Sequence, residues 1–286
     1  MFGFNLQALL HFLRIQGDWS DREEAEPEDE VLDEIPKATV AAVSTTPAPP
    51  VVPPPPTLGE PPPDLTRGTS ESIPDRVVMD DAFYESFVDN RDIAPKDKRK
   101  RRRKLENITT VVLHQTAANR TQENALRKSK NVTCHILITP GGNVCLNHPW
   151  WAYLYAADLF NSFSISIEFT GNFEGHPGKG DFYKPEKFGR SIPTDIQILR
   201  AKQVLQWLIY EEDLNITTIV AHRQARTKRK NKNGRWKVAK VLDPGWQIYS
   251  AVAMWAEKVL NLDRRPQWTL GNGATIPESW EHPPIS

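Results

Sequence analysis

The sequence predicts an α/β domain with a mixed central sheet flanked by helices, preceded by a long disordered proline-rich arm. Three observations carry that reading. Between residues 105 and 263, short β-branched apolar runs alternate with amphipathic stretches, the pattern of strands interspersed with helices. Residues 17–104 hold most of the chain's 24 prolines, including Pro53–Pro56 and Pro61–Pro63, and few aromatics. Such a stretch buries too little apolar surface to offset chain entropy. The formal net charge of +0 over 286 residues hides a segregation: Asp18–Glu34 is acidic and Lys96–Lys104 is strongly basic.

The elements follow in order. Residues 1–16 are apolar but interrupted by Asn5, Gln7 and His11, with no basic leader and no small-residue cleavage site. They are too short to span a bilayer and read as an amphipathic helix for a partner protein or a membrane surface. Residues 17–104 are the linker, 105–263 the folded domain and 264–286 a C-terminal tail. Within the domain, Asn107–Leu113 is a strand and Thr121–Lys130 a short polar helix or loop. Thr133–Thr139 and Asn143–Leu146 form a hairpin turned by Pro140-Gly141-Gly142. If Gly141-Gly142 forms a two-residue turn, Ile138 faces Cys145, and Cys134 lies too far along its strand for a disulfide. Both cysteines are expected to be small buried hydrophobes. Phe163–Phe169 alternates strictly, which puts Glu168 on one face with Ser164 and Ser166. Thr194 and Gln197 form a capping box for a helix with Ile198, Ala201, Leu205 and Leu208 on its apolar stripe. A strand at 216–222, a basic loop at 223–240 and a helix at Trp246–Leu260 complete the domain.

One phrase occurs twice: Ile108–His114 and Ile216–His222 are each an apolar β-branched run ending in histidine. If the two strands are neighbours, His114 and His222 converge where both leave the core. Asp243, in Leu242-Asp243-Pro244-Gly245, offers a third donor. Two neutral nitrogens and a carboxylate suit zinc and leave a fourth position for water. The competing reading is two hydrogen-bonded core histidines and an ordinary Asp-Pro-Gly turn.

Charge runs are usually solvated surface. The basic loop at 223–240 is compatible with an anionic polymer. Lys98–Lys104 resembles a nuclear-localisation or phosphate-binding run, but no aromatic platform accompanies it in sequence, so no specific nucleic-acid partner is expected.

Together these motifs resemble the zinc-dependent N-acetylmuramoyl-L-alanine amidases, the type 2 amidase and peptidoglycan-recognition family, over about 107–260. Val111–Ala117 matches the strand bearing the first zinc histidine. Cys134–Ile138 with Gly141–Val144 resembles the family's hairpin, and Asn161 with Ser164–Glu168 its Asn…Ser-Ile-Gly-Ile-Glu strand. Val220–Arg223 and Leu242–Gly245 match the segments holding the other two ligands. There are departures. The family spaces the last two ligands about ten residues apart, whereas His222 and Asp243 are 21 apart, so the basic loop is an insertion. The lysine that often precedes the third ligand by two residues is replaced by Val241, with Lys240 one residue earlier. A tyrosine that often precedes the hairpin histidine is replaced by Cys134, and a Trp-His-Ala-Gly segment by Leu154–Ala157.

The resemblance implies a peptidoglycan hydrolase, endolysin-like in kind, that cuts the amide between N-acetylmuramic acid and L-alanine. It places Zn2+ on His114, His222 and Asp243, makes Glu168 the general base, and gives Lys240 or the inserted loop the oxyanion. His135 is expected to support the site by a hydrogen bond to a ligand. The alternatives are a non-catalytic muropeptide-binding module and a wall-anchoring interaction protein of a phage virion. The sequence leaves host, peptide-stem preference and oligomeric state open.

Overall fold

The chain divides into two units, Met1–Ser72 and Ile73–Ser286. The computed structural model describes residues 76–226 and 242–282, with the backbone of 229–230 and 236–237 between them. Residues 1–75, the expected amphipathic segment and most of the expected linker, lie outside the described residues.

The expected α/β architecture is present. Six strands form a mixed sheet in the order β1 (Phe87–Asp89), β5 (Val144–Leu146), β4 (Ile136–Ile138), β7 (Ser164–Phe169), β3 (Thr110–Gln115) and β8 (Thr218–Ala221). Only the β4–β5 hairpin is antiparallel; β1 runs parallel to β5, and β4, β7, β3 and β8 run parallel to one another. A two-stranded sheet of β2 (Arg99–Arg102) and β6 (Ala152–Leu154) stands apart from it.

Alternation assigns the two faces. Val111 and Leu113 of β3, Ile165, Ile167 and Phe169 of β7, and Ile219 and Ala221 of β8 all enter one large apolar cluster. That cluster is roofed by the helix Asp195–Tyr210 and by the composite helix Trp246–Leu260, which has a π-helical middle at Tyr249–Ala253. The capping box holds: Thr194 Oγ1 accepts from the Gln197 N–H and Gln197 Oε1 from the Thr194 N–H. Each such buried side chain contributes about 1.5–3 kcal/mol. Val112 and Val220 face the other way, into a smaller cluster with Ala157, Phe160 and Ala225.

Three expectations change. The hairpin turn has three residues, not two: Thr139 pairs with Asn143 and Leu137, not Ile138, faces Cys145. Pro140 joins the loop, and Gly142, at φ 82°, supplies the left-handed residue that such a loop needs. Cys134 and Cys145 are nevertheless free and buried, as expected.

Second, residues 80–103 are docked rather than part of a linker. Asp80 caps the short helix Asp81–Tyr84, Phe83 is fully buried in the main cluster, and β1 extends the sheet. Arg103 threads inward, donating to the carbonyls of Trp150, Asn161 and Ser164. Charge conceals this segment because its anchorage is spread over contacts with distant residues, among them Tyr84 with Glu211, Asn90 with Ser129 and Asn147, and the Ala82 carbonyl with Arg200.

Third, the described part of the C-terminal tail is packed. Trp280 is fully buried, Arg264 pairs with Glu257 and Glu281, and Leu270–Gly271 forms a parallel bridge with Ala225–Arg226. Among the described residues, no helix is long and apolar enough to cross a membrane.

Candidate metal centre

His114 lies near the carboxyl end of β3, and His222 follows β8 directly. These strands are hydrogen-bonded neighbours, so both imidazoles emerge at one edge, where ligands of parallel sheets commonly sit. Asp243 reaches the same edge. Its Oδ2 is 2.8 Å from His222 Nδ1 and 3.7 Å from His114 Nδ1, and the two rings lie 4.3 Å apart centre to centre. One donor atom from each of the three falls within 4.8 Å of the others. Donors arranged tetrahedrally about zinc at its usual bond lengths stand about 3.3 Å apart.

The surroundings aim these groups. The Gln115 backbone N–H donates to Asp243 Oδ1 at 2.7 Å, which leaves Oδ2 to the histidines. The Gln115 side chain bonds the Leu242 carbonyl and the Phe173 N–H, tying the loop to the sheet. Gly245, at φ 95°, is required: a Cβ there would come within 2.9 Å of Phe173 and 3.0 Å of the Glu174 carbonyl. Arg223 donates its N–H to the Asp243 carbonyl, and the tail braces the same strand end through Gln224 to the carbonyls of Arg265 and Trp268.

The electrostatics favour a cation. Burial, then the neighbouring His222, pushes His114 down to about 4, so its ring is neutral and able to ligate. Burial raises Asp243, but hydrogen bonds from His114 and His222 outweigh it and hold its carboxylate far below the usual range. The Nε2 atoms of both histidines are buried without a hydrogen bond. In its neutral form each imidazole keeps one nitrogen lone pair free, and the ionised Asp243 oxygen beside them adds a negative donor. The donor set therefore fits a divalent cation.

Glu168 stands opposite His114 in the β3–β7 register, with Leu137 on its other side. The pairing puts its side chain on the same face as His114, with Cα atoms about 4.8 Å apart at strand spacing. Half-buried, Glu168 has its pKa pushed well up, first by burial, then by Asp243, with Arg120 opposing. Lys240 lies outside the described residues.

His135 does not support the donors by a hydrogen bond. Its Nδ1 accepts from the Ser166 N–H and its Nε2 faces the Ala152 carbonyl, so it ties β7 to β6. Burial, then the Arg103 charge, lowers its pKa well below the usual range.

Two residues that sequence reasoning missed stand beside the donors. Asp158 has left-handed backbone at φ 47°, and its Oδ2 is 3.4 Å from His222 Nε2, within ion-pairing reach but not hydrogen-bonded to it. Arg226 links Asp158 and Asp243, at 3.7 and 3.8 Å. The Asn161 side chain shapes this turn by accepting from the N–H groups of Ala156 and Ala157. Arg120, whose Nη1 is buried without a partner, is the third omission. A three-residue 3₁₀ turn and a lone arginine carry no motif, so only a resemblance in Asn161 hinted at this wall of the site.

Fold and donor set define a class, an α/β domain with a three-residue group that could hold a cation at the carboxyl end of a mixed sheet. Residues 104–235 match the family model described as N-acetylmuramoyl-L-alanine amidase. The match ends inside the basic insertion, before Asp243. Among solved structures, the N-acetylmuramoyl-L-alanine amidase LysC from Clostridium intestinale URNW is 18% identical over 62% of this chain and 98% of its own, with a TM-score of 0.40. Apis mellifera PGRP-SA is 18% identical over 53% and 84%, with a TM-score of 0.36. Peptidoglycan recognition protein-LE, solved in complex with tracheal cytotoxin, is 16% identical over 60% and 94%, with a TM-score of 0.41. A comparison with curated proteins gave no match.

Proposed function

We propose that this domain hydrolyses the amide joining the lactyl group of N-acetylmuramic acid to L-alanine, with zinc held by His114, His222 and Asp243. The observation that carries the reading is the convergence of those donors within 4.8 Å, beside a carboxylate with raised pKa on the adjoining strand. Zinc in a three-donor set lowers the pKa of a bound water to about 7 and polarises a carbonyl.

The chain's own residues supply the rest. Glu168, with its basicity raised by burial and by Asp243, accepts the proton of the attacking water and delivers it to the departing alanine nitrogen. The products are a lactyl carboxylate and a free amine, which balances the reaction. The oxyanion goes to a cation, for which Arg120 is the described candidate and Lys240 the other. Arg120 also lines a cleft of about 570 Å³ with Asn119, Lys128, Lys187 and Phe188. That volume suits a glycopeptide fragment, and its cations suit the carboxylates of a peptide stem. The solved relative bound to tracheal cytotoxin and the family model matched by residues 104–235 support peptidoglycan or muropeptides as the partner.

The deciding experiment digests purified sacculi and identifies the products by mass spectrometry. New N-terminal L-alanine from the wild type and none from Glu168→Gln is the expected result. Zinc-loaded protein that binds muropeptides and releases nothing would make it a receptor. Cuts within the glycan or the stem would exclude this bond.

A further inference from the structure

The basic run Lys98–Lys104, which in sequence resembles a nuclear-localisation or phosphate-binding run, is a built feature. Arg99–Arg102 form β2, paired antiparallel with Ala152–Leu154 and bulged at Lys100. The aromatic side chains absent from the run itself come from this partner strand and its flanks. Arg101 Cζ lies 4.4 Å from the centre of the Tyr153 ring and Arg102 Cζ 4.1 Å from that of Trp151. Lys100 Nζ is 5.9 Å from the Tyr155 ring, and Tyr153 and Tyr155 meet edge to face at 5.7 Å. Lys100, Arg101 and Arg102 are all exposed. Among the described residues, no acidic side chain pairs with Lys100 or Arg101. Arg99 and Arg103 anchor the two ends, on His148 and on the Trp150, Asn161 and Ser164 carbonyls.

Charges placed only to keep an exposed strand soluble need no rings beneath them. A guanidinium stacked on a ring is held in one plane, with less entropy to lose when its N–H groups engage an anion. The bulge at Lys100 breaks the two-residue alternation, so Lys100, Arg101 and Arg102 concentrate three consecutive exposed cations on this short strand. A phosphodiester polymer such as poly(glycerol phosphate) carries one negative charge per repeat, so several of its phosphates can meet such a run together. The rings of Trp151 and Tyr153 are capped by cations, so they are not open platforms for nucleobases. Charge and the capped rings thus match a polymer read through its phosphates.

We infer that the β2–β6 surface binds a polyol-phosphodiester polymer of the cell wall and holds the domain on its substrate. The choice of a wall polymer rests on the function proposed above; the recognition of phosphodiesters rests on β2 alone.

The test uses the full chain and purified poly(glycerol phosphate), with affinity measured at several salt concentrations. The double variant Lys100→Ser/Arg101→Ser should bind at least about tenfold more weakly and lose about 1.4 from the slope of log K against log salt, at about 0.7 per cation for a single-stranded polyanion. Its zinc content and its rate on soluble muropeptide should stay at wild-type values. Tyr153→Leu should weaken binding less and leave the slope nearly unchanged, because it removes the support and no charge. Equal binding by wild type and double variant overturns the inference. So does tighter binding to anionic phospholipid vesicles, or tighter binding to oligothymidylate than to an abasic strand of equal length. A wild type that binds the polymer through β2 but cleaves no muropeptide leaves the surface standing and removes the proposed function. Cleavage without a β2 effect does the reverse.

Discussion

The two faces of the central sheet are built from the same strands to opposite purposes. Toward the helices, Leu113, Ile167, Phe169 and Ile219 are fully buried and carry no polar atom that needs a partner. Toward the other side, one residue along each strand, stand His114, Ser164, Ser166 and Glu168, and the first three of these leave buried side-chain polar atoms without hydrogen bonds. An unsatisfied buried group costs about 1–3 kcal/mol, so the polar face is destabilising by itself and the helix face holds it in place. The comparison teaches that the site tolerates substitution in stability terms, whereas the opposite face tolerates it poorly.

The sharpest attempt to break that contrast is at the donors. His114→Ala or His222→Ala should abolish bound zinc, expected at about one per chain, and turnover with it, while the far-ultraviolet circular dichroism stays native. Atomic absorption and dichroism on one sample test this, and unfolding of either variant would show that the open face also carries the fold.

The next largest effect tests the helix face from the chain's N-terminal side. A chain beginning at residue 76 should keep zinc and a native spectrum. One beginning at Lys104 loses Phe83, β1 and the Arg103 anchor. Loss of a buried Phe alone costs about 3–5 kcal/mol, a large share of the 5–15 of a typical domain. Urea denaturation of the two chains measures the difference, and equal midpoints would mean that residues 80–103 are dispensable.

Within the polar face, Glu168→Gln should retain zinc and reduce kcat by about 10²–10⁴-fold, the usual range for a general base. Asp158→Ala is expected to be milder. It removes the carboxylate beside His222 Nε2 and should weaken zinc affinity by about 10–100-fold without changing the products, as competition with a chromophoric chelator would read. An unchanged affinity would restrict Asp158 to its ion pair with Arg226.

The smallest effect is in pH. His148 is fully buried beside Arg99, which donates to its Nδ1. Burial, then the Arg99 charge, pushes its pKa down to about 4. The unfolded chain takes up that proton near 6.5 and the folded chain only near 4. Stability should therefore be constant above about pH 6.5, fall as pH drops toward 4, and level off below. His148→Gln keeps an acceptor for Arg99 and should flatten part of that fall. A melting-temperature profile identical to the wild type's between pH 4 and 7 would contradict this.

Much of this was legible in sequence because it depends on local patterns. Alternation in Phe163–Phe169 placed Glu168 on the polar face, and the capping box at Thr194 and Gln197 marked its helix. The paired runs ending in His114 and His222 pointed to neighbouring strands. Pro140-Gly141-Gly142 marked the hairpin turn, but a two-residue register on Gly141-Gly142 is off by one, because the Thr139 N–H bonds the Asn143 carbonyl, a choice that composition does not reveal. Residues 80–103 looked like linker because a buried phenylalanine and scattered contacts with distant residues outweigh many charges only when a core exists to receive them.

What the sequence by itself determined is the strand and helix periodicity and the three donor types. The tertiary structure decided which groups surround them. Asp158 faces His222 because a left-handed turn held by Asn161 puts it there, and Arg120 acts on Glu168 across separate elements. Trp151, Tyr153 and Tyr155 lie under a basic strand some fifty residues earlier in the chain because β2 pairs with β6. Patterns with a period of two or 3.6 residues are written along the chain. Contacts between segments distant in sequence arise from packing, and the order of residues alone does not encode them in readable form.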